Sequence, residues 1–194
     1  MKLRIVLVLS LFVVSLAACG RSAPPAAGPA PTAAAPAGND ADRARADSIA
    51  AAELARRQAE ERELRAQIAR AQEILTNVVY FEYDSFSLDP EAETRLRTKA
   101  AIMRANPTVA LRVEGHADER GSTEYNIALG QRRAEAVRTF LSGYGVPTDR
   151  VSTFSFGKER PAVQGSTEEA WAQNRRAEFA ITGGDISAIP PEVR

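Results

Sequence analysis

Arg133 and Asn126, seven residues apart, interrupt an otherwise apolar helical stripe. At 100° per residue, a helix over 125–142 gathers Ala136, Leu129, Phe140, Val137, Leu141, Ala134 and Ile127 on one arc, with these two polar residues in its middle. The adjacent Arg132 falls on the opposite face with Arg138 and Glu135. A guanidinium directed into an apolar face is costly unless an anion meets it. That anion can come from Asp118-Glu119 just upstream, closing an internal salt bridge, or from a ligand. Arginine suits a carboxylate because its planar fork can donate two parallel hydrogen bonds. The pattern has the shape of a small-molecule recognition site.

Other chemistries are poorly served by these residues. Glu114, His116 and Asp118 alternate along one segment, as metal ligands or an acid–base centre would. A single histidine in the whole chain argues against structural zinc. Neither a second base nor a Ser/Cys nucleophile with an oxyanion arrangement accompanies it. The expectation is no catalytic residue, no metal and no cofactor, with His116 on the polar face of a strand. Gly115 and Gly121 read as devices for a close backbone approach and a tight turn. Acidic and basic residues number 25 each, so no broad field favours nucleic acid.

These residues need strands and helices to hold them. Residues 77–83, rich in Val, Tyr and Phe, predict a first strand. Asp89-Pro90 caps and starts a helix whose inner face is Ala92, Leu96, Ala100 and Met103, ended by Asn106-Pro107. Residues 109–117 alternate, with Leu111, Val113, Gly115 and Ala117 on one side and Arg112, Glu114 and His116 on the other. Ser122 or Thr123 caps the next helix, which stops near Gly143 and Gly145. A third strand over 151–156, a short helix over 167–174 and a fourth strand over 175–182 follow, the last with Ala177, Phe179 and Ile181 inward. This order predicts an α+β fold of βαβαβ type, its mixed sheet covered by helices on one face. The domain is expected over 77–183, and Pro190-Pro191 argues against further regular structure in the 184–194 tail.

Upstream, Lys2 and Arg4 precede an apolar run over 5–16 that ends in Leu16-Ala17-Ala18-Cys19. A basic start, a short apolar run and small residues before the cut describe an export signal over 1–18, and the run is too short to span a bilayer. Leu-Ala-Ala-Cys is the lipobox pattern, with cleavage before Cys19 and acylation on it; an ordinary secretory signal is the alternative. Residues 19–39 then form an Ala/Pro-rich linker that cannot bury a core. From 40 to 76 there is no Gly or Pro, and Glu53–Arg57 and Glu61–Arg65 sit at helical spacing. Arg57 and Glu61 interrupt a possible heptad seam, leaving a solvated single helix or an oligomeric one, on the order of 55 Å long.

The run EGHADERGSTEYNIALGQRRA (114–134), with VYFEYD (79–84), SFGKERPAV (155–163) and NRRAEF (174–179), carries a resemblance. It resembles the peptidoglycan-associated lipoproteins within the OmpA-like peptidoglycan-binding family, from Val79 to about Ile181. The resemblance implies an OmpA-like domain that binds the peptidoglycan stem peptide through the free end of diaminopimelate. Asp118 would receive the ammonium and Arg133 would clamp the carboxylate, with Tyr83, Asp84, Glu119, Asn126 and Leu129 at the rim. Arg176, outward with Glu178, would pair with Asp118 or Glu114, and Arg175 would be largely structural. It also implies a multiply acylated Cys19 anchored in the periplasmic leaflet of the outer membrane. The implied partner is a TolB-like propeller protein within a Tol–Pal system that supports cell division. A wall-anchoring OmpA-like lipoprotein outside that system is the alternative.

Overall fold

The computed structural model describes residues 38–193; the expected export signal, Cys19 and most of the expected linker lie outside the described residues. Residues 48–193 belong to one compact unit, and 38–47 to the unit before it. The elements run α1 (Gly38–Thr76), β1 (Val79–Tyr80), α2 (Pro90–Ala105), β2 (Ala110–His116), α3 (Thr123–Gly143), β3 (Val151–Gly157), α4 (Glu168–Asn174) and β4 (Arg176–Gly183). The four strands form one mixed sheet in the order β1-β4-β2-β3. β2 and β3 are parallel, joined through α3, because parallel neighbours need a long crossover. β4 runs antiparallel to both β1 and β2. The α+β fold expected from the alternation is the one observed.

Local chemistry sets the helix starts. The Asp89 carboxylate accepts the Ala92 N–H at 2.7 Å, with Pro90 in the first helical position. Ser122 rather than Thr123 caps α3, accepting the Tyr125 N–H at 3.2 Å. Leu111, Val113, Val151, Ala177 and Phe179 from the sheet pack with Leu96, Ile102, Met103, Val137 and Leu141 from α2 and α3 in one core. β2 approaches α3 closely because glycines face each other at the crossing: a Cβ on Gly115 would lie 1.8 Å from the Gly130 carbonyl oxygen.

The core reaches beyond 77–183 at both ends. Ala71 and Leu75, in the last turns of α1, are fully buried. Lys99 of α2, also fully buried, donates to the Ile74, Leu75 and Asn77 carbonyls at 2.5, 2.9 and 2.7 Å. Those are carbonyls that the end of a helix leaves unpaired, so Lys99 is the cap of α1. Earlier in α1, the side chains of 39–66 are exposed. The tail is not idle either. Ile186, Ile189 and Val193 are buried, a short 3-10 turn forms over Pro191–Val193, and the Asn106 side chain bonds the backbone of Ser187 and Ala188. Asn106, read as a helix stop, is therefore also the dock for the tail.

Two side chains depart from the sequence expectation. Ile127 is 37% exposed and not part of the core arc, whereas Gly130 is buried there. His116, expected on a polar strand face, is 1% exposed. The face of the sheet away from α2 and α3 is itself partly covered, by Phe156 stacked on the His116 ring at 5.4 Å.

Candidate ligand-binding site

The loop after β1, the loop between β2 and α3, and the first turns of α3 converge on a cavity of about 160 Å³. Its walls are Tyr83 and Asp84 from the first loop, Asp118, Arg120 and Gly121 from the second, and Tyr125, Asn126, Leu129 and Arg133 from α3. Asp84 has φ +51°, a left-handed conformation that costs about 1–3 kcal/mol for a non-glycine residue and clusters at functional sites. Its carboxylate accepts the Tyr125 hydroxyl across the cavity mouth. Gly121, at φ +88°, makes the turn into α3.

Arg133 is fully buried, as its place on the wheel required. It meets no carboxylate directly. Its Nε, Nη1 and Nη2 donate to the backbone carbonyls of Ser85 at 2.8 Å, His116 at 2.7 Å and Glu82 at 3.1 Å. One side chain thus ties the Asp84 loop to the end of β2. Three of the five guanidinium N–H groups are used, and one remains on each terminal nitrogen. Burial pulls the Arg133 pKa down to about 10, partly offset by the nearby Asp118. The Phe81 ring lies 5.2 Å from the guanidinium, adding a cation–π contact.

Asp118, 5% exposed, is held by Arg120 instead. Arg120 donates from Nε at 3.1 Å and Nη2 at 2.6 Å, and its backbone N–H adds a third bond at 3.1 Å. Arg175 approaches the same carboxylate at 3.7 Å. Burial alone pushes the Asp118 carboxyl up; the bonds from Arg120 and the charge of Arg175 outweigh it and hold the group below its usual pKa. Arg120 lies between two rings, 4.0 Å from the Tyr83 centroid and 4.1 Å from that of Trp171. Of the two anions open to Arg133 from sequence, the internal Asp118 salt bridge does not form.

The structure brings Asp118, Arg133, Asp84, Tyr83, Asn126 and Leu129 together around one cavity. Glu119 is not among them: it turns outward and accepts the Trp171 indole N–H at 3.1 Å. Arg176 is also elsewhere. Its side chain lies on the far face of the sheet, bonded to Glu178 at 2.6 Å and to the Arg160 carbonyl at 3.1 Å, and pairs with neither Asp118 nor Glu114. Strand alternation explains this, because Arg176 stands opposite in direction to the core-facing Ala177. The Arg175 side chain, by contrast, reaches the site. It donates to the Phe81 carbonyl at 3.0 Å and pairs with Glu168 at 2.8 Å. Sequence reasoning passed over Arg120 and Tyr125. The spacing Asp118-x-Arg120 was the available signal, since an Asx side chain readily bonds a backbone N–H two residues on.

Known proteins align with this region. A family model described as the OmpA family matches residues 80–175. A peptidoglycan-associated lipoprotein of Pasteurella multocida is 50% identical over 104 residues, 54% of this chain and 69% of that protein. One from Brucella melitensis is 43% identical over 116 residues, 58% of this chain and 69% of the relative. The crystal structure of the peptidoglycan-associated lipoprotein from Burkholderia pseudomallei superposes with a TM-score of 0.53 at 43% identity, over 54% of this chain and 89% of that one.

Proposed function

This chain belongs to the peptidoglycan-associated lipoprotein family, built on an OmpA-type domain, and on that premise we propose that it binds peptidoglycan non-covalently and ties the outer membrane to the wall. The ligand is the free end of diaminopimelate in the stem peptide, an ammonium beside a carboxylate. Asp118 takes the ammonium, and the two unused N–H groups of Arg133 take the carboxylate. One observation carries this reading. A single small cavity is lined by two acids, Asp84 and Asp118, and two cations, Arg120 and Arg133. A zwitterion entering it strands no net charge in a poorly solvated site. Arg120, with 29% of its side chain exposed, is the group that must loosen its hold on Asp118.

The protein works by binding rather than catalysis. Residues 1–18 are the export signal, Cys19 carries the lipid in the periplasmic leaflet of the outer membrane, and 19–39 and 40–76 are linker and spacer. Within a Tol–Pal system the domain exchanges peptidoglycan for a TolB-like propeller and supports envelope integrity and cell division. Isothermal titration with a diaminopimelate-containing muropeptide tests the site. Heat is expected with the native protein and its loss with Asp118→Ala and with Arg133→Ala. No heat with the native protein, or unchanged heat with both variants, refutes the assignment. A pull-down with the propeller protein separates this reading from a wall anchor outside the Tol–Pal system.

A further inference from the structure

The face of the sheet away from the ligand cavity holds a second constellation. Glu114 of β2 and Glu178 of β4 are direct register partners, so two carboxylates stand opposite each other across an antiparallel pair. Like charges in that position repel, and each of these acids is met by an arginine of its own strand. Two residues on from Glu114, and so on the same face, is His116. It is 1% exposed, and neither of its ring nitrogens has a hydrogen-bond partner among the described residues. A neutral imidazole always carries one donor and one acceptor, so both are left unpaired at a cost of roughly 1–3 kcal/mol each. The ring is pointed at the acids: Nε2 is 3.9 Å from Glu178 Oε2. One oxygen of each carboxylate and one nitrogen of His116 all lie within 4.8 Å of one another.

The surroundings resemble the outer shell of a metal site. Glu114 Oε1 accepts Arg112 Nε at 2.6 Å, and Glu178 Oε1 accepts Arg176 Nε at 2.6 Å. Each acid is thus oriented through one oxygen by an arginine two residues earlier on its own strand. For Glu178 it is the other oxygen, Oε2, that lies 3.9 Å from the His116 ring nitrogen. Metal-ligating carboxylates are characteristically held in this way by outer partners.

Against the sequence expectation of no metal, which weighed Asp118 and not Glu178 beside His116, we infer from this arrangement that Glu114, His116 and Glu178 form a binding site for a divalent transition-metal ion of the zinc class. One imidazole nitrogen and two carboxylate oxygens supply three ligands, with a fourth position for water. Modest side-chain movement closes the three atoms to coordinating distance. Arg112, with 48% of its side chain exposed, can swing off Glu114 as the ion enters, whereas the buried Arg176 keeps orienting Glu178. The His116 carbonyl accepts Arg133, so the ion would brace the same strand end that holds the ligand cavity.

The test is titration of the full chain with ZnCl2 at neutral pH, followed by calorimetry and by the absorption of a Co²⁺ substitute. One equivalent is expected to bind, undiminished by excess Mg²⁺. Affinity should fall by about tenfold or more in both Glu178→Gln and His116→Gln. Glu178→Gln also takes the charge from the buried Arg176, so the thermal midpoint of each variant is measured without metal and affinities are compared at a temperature where both remain folded. Absence of stoichiometric binding, or equal affinity in the native protein and both variants, overturns the inference, as does displacement by Mg²⁺.

Discussion

Gly115→Ala probes how tightly the fold holds the site. A Cβ at this position starts 1.8 Å from the Gly130 oxygen and 2.6 Å from its carbonyl carbon, where ordinary contact begins at 3.4 Å. Both atoms belong to the backbone of α3, so no side chain can rotate away and the helix itself must move. Two effects oppose each other. Alanine restricts the unfolded chain and stabilises by about 0.4–1 kcal/mol. Overpacking costs about 1–3 kcal/mol, and a backbone clash belongs at the upper end. Overpacking wins, with a net loss of roughly 2 kcal/mol. With a urea slope of about 2 kcal/mol/M, the unfolding midpoint should fall by about 1 M. Gly143→Ala in the same helix is the matched control, because nothing lies within 4 Å of its Cβ. It should raise the midpoint by a few tenths of 1 M. Muropeptide affinity should fall in the first variant alone, since a hydrogen bond of 2.7 Å from Arg133 to His116 does not survive a shift of about 1 Å. If Gly115→Ala unfolds at or above the native midpoint, the close crossing is not a constraint and the argument fails.

Lys99→Met removes the cap that α2 places on α1, and should cost about 2–3 kcal/mol; the thermal midpoint is expected to drop by roughly 5–10 °C, and an unchanged midpoint would show that water replaces the ammonium freely. Trp171 is the chain's one tryptophan and lies 4.1 Å from the Arg120 guanidinium, so intrinsic fluorescence should change saturably with muropeptide. A flat signal at concentrations where calorimetry shows binding would mean that Arg120 stays where it is. Ammonium capture needs Asp118 ionised, and the bonds from Arg120 hold its pKa below the usual value despite burial. Affinity should therefore be level from neutral pH down to the ordinary carboxylate range and fall only below that range, where the carboxylate takes up its proton. A midpoint of loss near pH 6 in calorimetry would show that burial had prevailed.

The order of elements, the cap at Asp89, a cap at Ser122 or Thr123, and the inward aim of Arg133 were all legible from residue types and spacing. Each depends on a local period or a neighbour a few residues away, and such relations survive in one dimension. What Arg133 meets was not legible. Its three acceptors, Glu82, Ser85 and His116, are backbone carbonyls 51, 48 and 17 residues away, and every residue type carries one. The same holds for Lys99, whose acceptors are carbonyls at the end of α1, and for the tail that docks on Asn106. His116 shows the other gap. Strand alternation put it correctly on the face shared with Glu114, but only the pairing of β2 with β4 and the stacking of Phe156 bury it beside Glu178. Sequence thus determined which side chains leave each element and in which direction. Tertiary structure decided what stands opposite them, because that depends on strand register and helix crossing, which no single segment encodes.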